Sequence, residues 1–190
     1  MAISISRKYT DSAFGGKPTL DDKILVFEDR VLGWQLEIAE ELRHLIEDPQ
    51  NHGKPIQHAG FALISILFSY FEMIAQYMEG KDSDGKSTEF FCKGLESVFP
   101  GEFSGKEKKT IYKRIRCGMY HSALTKKGAL IDGDYPKPIE IDNDLVKVNP
   151  HKLSPCLKAH FEGYIKLLKS PASSQERTNF EKMYKKSTKV

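Results

Sequence analysis

Between His58 and Met78, 15 of 21 residues are apolar. That is close to the about 20 residues a helix needs to span a bilayer. Yet Glu72 and Gln76 sit inside the stretch, and no basic flank or second span accompanies it. A chain built around one such segment is expected to bury it, so the segment is predicted to be the central helix of a bundle, with no membrane partner. Its polar residues are not scattered. Ser65, Ser69, Glu72 and Gln76 step by four, three and four, which places them on one narrow face. That face is either the helix's single strip of solvent contact or one wall of a polar cleft.

The flanking segments supply helices to pack against it. Ile24, Phe27, Val31, Trp34, Ile38, Leu42 and Leu45 recur at steps of three and four, a core-facing stripe on one long helix from about Leu20 to Ile46. Thr19 is its expected N-cap, with Asp21 and Asp22 in the first turn. "EDPQNHGKP" breaks the chain. Thr88 to Phe99 is a short helix, apolar at Phe91, Leu95 and Val98. Ser104 and Glu107 form a capping box that opens a helix running to about Leu124, where "TKKG" ends it.

From Ala129 to Val148 short alternating runs with Gly-Asp and Pro turns predict a small β-hairpin or three short strands. Ser154-Pro155 is expected to start another helix, striped by Leu157, Phe161, Tyr164 and Leu168. The lysine-rich end forms either one more short helix around Phe180 and Tyr184 or a loose tail. The expected fold class is all-α: an antiparallel helical bundle with a small β-hairpin insertion between the last two main helices. Its parts are an N-terminal extension (1–19), a helical domain (20–170) and a basic C-terminal tail (171–190). One core is expected to hold Ile24, Trp34, Ile38, Leu67, Phe71, Ile115 and Phe161.

Net charge is only +3, but it is unevenly spread. Asp21 to Asp48 carries nine acids against three bases, whereas Lys106 to Lys127 carries eight bases against one acid. A basic segment this dense suits an anion, and nucleic-acid phosphate is the commonest. Three cysteines without CxxC spacing, and an N-terminus without an apolar signal-peptide core, point to reduced thiols in a cytoplasm. Glu41 and His44 have the i, i+3 spacing of carboxylate-bridged metal bundles, but no second Glu-x-x-His follows. No metal and no cofactor are expected, and glycine-rich phosphate loops are absent from the sequence.

The basic segment contains "YKRIRCGMYHSAL", Tyr112 to Leu124. On a regular helix Arg114 and His121 point nearly the same way, and Arg116 lies about 140° from His121. A Cys117–His121 pair shares a face, but no third orienting group is visible, so Cys117 is expected to pack.

"RCGMYH", Arg116 to His121, resembles the HEPN motif, an arginine followed after four to six residues by a histidine late on a helix of an α-bundle. Arg116 has four intervening residues and Arg114 six. The place directly after the arginine, usually Asn, Asp or His in that family, holds Cys117 here. The resemblance implies a compact, often dimeric bundle. It also implies a metal-independent endoribonuclease of a toxin–antitoxin, CRISPR or antiphage system, or a relative that only binds nucleotides or RNA.

On that footing Arg116, His121 and Arg114 are the expected catalytic residues, with Glu72 orienting them from the facing helix. Lys109, Lys113, Tyr120, Lys126 and Lys127 are expected to hold RNA. A homodimer is expected because one His and one or two Arg are few for cleavage. An antitoxin or defence-system partner would go with the toxin role.

Overall fold

The computed structural model describes residues 3–47, 60–122 and 124–188. The order is α1 (Leu20–Val31), a π-helical turn (Leu32–Leu36), α2 (Glu37–Glu47), α3 (Gly60–Glu79), α4 (Ser87–Val98) and α5 (Gly105–Ile111). A second π-helical turn (Tyr112–Arg116) leads into α6 (Cys117–Ser122). Then come β1 (Ala129–Ile131), β2 (Ile139–Asp142), β3 (Leu145–Val148), α7 (Pro150–Lys169) and α8 (Ser174–Ser187).

The chain is mostly helical with one small sheet, as the patterning predicts. α3 is long and apolar enough to cross a membrane, but half of its most apolar stretch is buried by protein, and it packs on α2, α4, α7 and α8. Leu63, Leu67, Phe71 and Ile74 have no exposed surface. The approach of α4 depends on Gly94, where a Cβ would lie 1.8 Å from the Phe71 carbonyl oxygen. Phe68, Phe71 and Phe91 then pack across that contact, Phe71 edge-on to the other two, with ring centroids 5.2 to 5.9 Å apart.

Two core expectations fail. Trp34 is 50% and Ile38 46% exposed, while Leu36 and Ala39 are buried. The cause is the first π-turn, in which the Glu37 amide donates to the Leu32 carbonyl, five residues back. A π-turn takes up one extra residue. The apolar stripe therefore follows Ile24, Phe27 and Val31 into Leu36 and Ala39, and the residues that continue the 3.6 period rotate outward. Ile24, Leu67, Phe71, Ile115 and Phe161 lie in the core as expected.

The sheet order is β1-β3-β2, with β1 parallel and β2 antiparallel to β3. The β2–β3 hairpin turns on Asn143 and Asp144, whose φ values of 46° and 67° are those a tight two-residue hairpin turn needs. Ala129, Ile139, Val146 and Val148 join the helical core.

α7 begins before the expected Ser154-Pro155. Buried Asn149 caps it, accepting from the Lys152 amide, with Pro150 in the first turn. The Asn149 Nδ2 also donates to the Gly133 and Tyr135 carbonyls, tying the β1–β2 loop to the helix start. Ser154 lies inside the helix and donates to Glu40 on α2.

Of the two expectations for the basic C-terminal tail, the short helix around Phe180 and Tyr184 is the one found, as α8. Phe180, Met183 and Tyr184 are buried, and the Phe180 ring packs on those of Phe27, Tyr77 and Tyr184, which docks this segment on α1 and α3.

Candidate functional site

The Ser104–Glu107 capping box closes reciprocally and starts α5, and Ile111 and Ile115 anchor the helix in the core. The Cys117 amide then donates to the Tyr112 carbonyl, five residues back, which makes Tyr112–Arg116 a π-turn. Residues on either side no longer keep the regular phase of 100° per residue, and the projection that aligned Arg114 with His121 does not apply.

After α6 the chain folds back along the helix. The Lys126 amide donates to the Arg114 carbonyl at 2.8 Å. Gly118 makes room for this, since a Cβ there would lie 2.6 Å from the Leu124 oxygen and 2.8 Å from the Lys126 nitrogen.

The two arginines diverge. Arg114 turns to the sheet, donating to the carbonyls of Gly128 and Asp144 and pairing with the Asp144 carboxylate at 2.8 Å. That guanidinium holds the Asp144 carboxyl below its usual range. Gly128 has φ +88°, and a Cβ there would sit 2.9 Å from the guanidinium carbon. Arg114 therefore acts as a strut.

Arg116 turns to α3 and pairs with Glu72 at 3.2 Å, both side chains being largely buried. Its guanidinium lies 4.1 Å from the Tyr120 ring centroid and 5.8 Å from that of Tyr112. The polar stripe of α3 is half-buried along its length. Ser65 and Ser69 donate back to carbonyls of their own helix, so only Glu72 in the stripe pairs with the facing basic helix among the described residues.

Glu72, Arg116 and Tyr120 thus come together. His121 is exposed near the end of α6, with no hydrogen bond among the described residues. Cys117 faces Tyr112 instead of a catalytic partner, and burial raises the pKa of the Tyr112 hydroxyl between Cys117 and Thr88.

The expected RNA-holding lysines divide. Lys113, Lys126 and Lys127 line one concavity of about 350 Å³ with Thr110 and Arg114. Lys109 instead rims a separate groove of about 840 Å³ along α4, with Cys92, Lys93 and Glu96. Sequence reasoning missed Thr110, Gly118, Gly128 and Asp144. Gly128 and the Asn143–Asp144 pair carry a recognisable turn signal. Gly118, inside a helix, carries none.

Toward metals, His44 lies 3.3 Å from Glu40, and Arg43 holds the Glu40 carboxyl below its usual range. Among the described residues no three His, Cys, Asp or Glu side chains cluster as metal ligands. Comparison with family models, with curated proteins and with solved structures finds no match to this chain.

Proposed function

We propose that this protein is a HEPN-like, metal-independent endoribonuclease of a toxin or antiphage system, acting as a homodimer in the cytoplasm. The observation that carries the reading is the Glu72–Arg116–Tyr120 group: an arginine held at 3.2 Å by a carboxylate, against an aromatic ring, five residues before an exposed histidine.

Cleavage of RNA by its own 2′-OH needs a group that moves a proton near neutrality and a cation against the growing charge on phosphate. An imidazole suits the first and a guanidinium the second. Glu72 limits the rotamers open to Arg116, so the fork is positioned before substrate arrives. Two-fold pairing would bring a second His121 and Arg116 to the same cleft.

A second reading is a non-catalytic module that holds RNA or a protein on the same helix. It is favoured by Arg116 being already charge-paired with Glu72 and by Cys117 standing where the family has a polar residue.

One assay separates them. Purified protein is incubated with single-stranded RNA in EDTA, beside His121→Ala and Arg116→Ala. The enzyme reading expects 2′,3′-cyclic phosphate ends, no cut at a 2′-deoxy position, and loss of cleavage in His121→Ala with RNA binding retained. Equal cleavage by wild type and His121→Ala would point to a contaminating nuclease and leave the binding module.

A further inference from the structure

The concavity on the sheet side of the basic helix is lined by Thr110, Lys113 and Arg114 from the helix and by Lys126 and Lys127 from the returning chain. Every ionisable group in that lining is a cation. Arg114 is offset by Asp144, and the Thr110 hydroxyl is spent on the Lys106 carbonyl. The free charge therefore comes from Lys113, Lys126 and Lys127, which are exposed and have no ion-pair partner among the described residues.

Three unpaired ammonium groups around one concavity repel one another and leave a positive field that an anion would relieve. Their backbone is fixed before any ligand arrives. The Lys126 amide is bound to the Arg114 carbonyl at 2.8 Å, and the Gly128 carbonyl accepts from Val146 at 2.8 Å and from the Arg114 guanidinium at 3.3 Å. The Thr125 hydroxyl closes the same segment by donating to the Ala129 carbonyl. Such pre-ordering lowers the entropy cost of gripping a ligand. Arg116 faces α3 and Arg114 faces the sheet, so this concavity is set apart around the helix from the Glu72–Arg116 pair.

We propose that Lys113, Lys126 and Lys127 form a phosphate subsite separate from the Arg116–His121 motif. It takes a phosphate of the RNA chain, either a backbone diester or a 5′-terminal monoester. This rests on the RNA reading of the function, and the experiment is arranged so that the two can fail apart.

A single-stranded RNA dodecamer, labelled at its 3′ end and bearing either a 5′-phosphate or a 5′-hydroxyl, is titrated with wild type and with Lys126→Ala/Lys127→Ala over a range of salt. Two lost contacts should lower the slope of log K against log salt by about 1.4. Lys126→Arg/Lys127→Arg should restore it. Inorganic pyrophosphate, followed by amide NMR shifts of Lys126 and Lys127, probes the subsite without RNA.

Equal loss on both RNAs assigns the subsite to a backbone diester, and loss on the 5′-phosphate RNA alone assigns it to the terminus. Unchanged affinity and slope in the alanine variant overturn the subsite while leaving the RNA reading intact. Pyrophosphate shifts without binding of either RNA support the subsite and overturn the RNA reading. Binding of neither RNA nor pyrophosphate overturns both.

Discussion

Among the described residues the molecule carries two π-turns, one in the acidic first helix and one in the basic helix, and the same one-residue insertion has different consequences in each. At Leu32–Leu36 it changes which residues face the core, exchanging Trp34 and Ile38 for Leu36 and Ala39. At Tyr112–Arg116 the core residues Ile111 and Ile115 stay inside, and what changes is the phase of the residues before the turn relative to those after it. Arg114 goes to the sheet, Arg116 goes to Glu72, and the Arg114 carbonyl takes a hydrogen bond from outside the helix. One insertion re-phases a hydrophobic face; the other shifts the phase of Arg114 relative to His121, while the two guanidiniums, two residues apart, point about 160° apart on a regular helix as well. π-turns are frequent at functional sites, and the second lies directly before the Arg116–Tyr120 contact.

The largest test of that contrast is a pair of truncations. Ile115→Ala, under the second π-turn, should destabilise by about 2–5 kcal/mol in urea titrations. Ile38→Ala, just beyond the first, should fall within about 0.5 kcal/mol of wild type. Similar losses at both positions would mean that α2 keeps the regular phase and buries Ile38.

Next in size is Gly118→Ala. Its methyl would push on the Leu124 carbonyl and the Lys126 amide, with an expected cost of about 1–3 kcal/mol. Hydrogen exchange should show the Lys126 amide losing protection while the Cys117 amide, inside the π-turn, keeps it. Joint loss would mean that the turn depends on the returning chain.

Glu72→Gln removes the partner of Arg116. About 1 kcal/mol of stability should go, an order-of-magnitude figure for a pair screened on its open side. If the ribonuclease reading holds, cleavage should drop further than that loss explains, and Glu72→Asp should restore part of it. Unchanged cleavage would assign Glu72 to packing alone.

The smallest effect is on pH. The Arg114 guanidinium depresses the Asp144 pKa in the folded state, so the pair's contribution is present above the ordinary aspartate value and is lost as pH falls through the depressed one. A carboxylate NMR titration should place the Asp144 midpoint below 3.8, and Arg114→Gln should return it toward that value.

Much of the architecture was legible because burial writes a period into the sequence. The central helix, Ile24, Phe71 and Phe161 all follow from it, while the Thr19 and Ser104 caps follow from side-chain oxygens set to accept helix amides. The π-turns were not legible, because "LGWQL" and "YKRIR" satisfy a 3.6 period as well as a widened turn. The choice between the two is made by tertiary contacts that lie elsewhere in the chain. The β1–β3 pairing was equally hidden, since a parallel partner is picked by long-range packing and not by turn residues. At the candidate site, Glu72 was found from a polar stripe on an apolar helix, a local signal. Arg114's attachment to Asp144 spans 30 residues and a hairpin, and it left no local trace.

The docking of α8 has a consequence for the order in which the molecule can be made. Phe27 of α1 packs on Phe180, and Lys23 reaches Glu181, 158 residues later in the chain. During synthesis α1 therefore emerges with one face lacking its partner and waits for nearly the entire domain to follow. Contacts this distant in sequence also close slowly. The exposed face of α1 is then open to chaperones until residues around Phe180 have cleared the ribosome and the bundle can close.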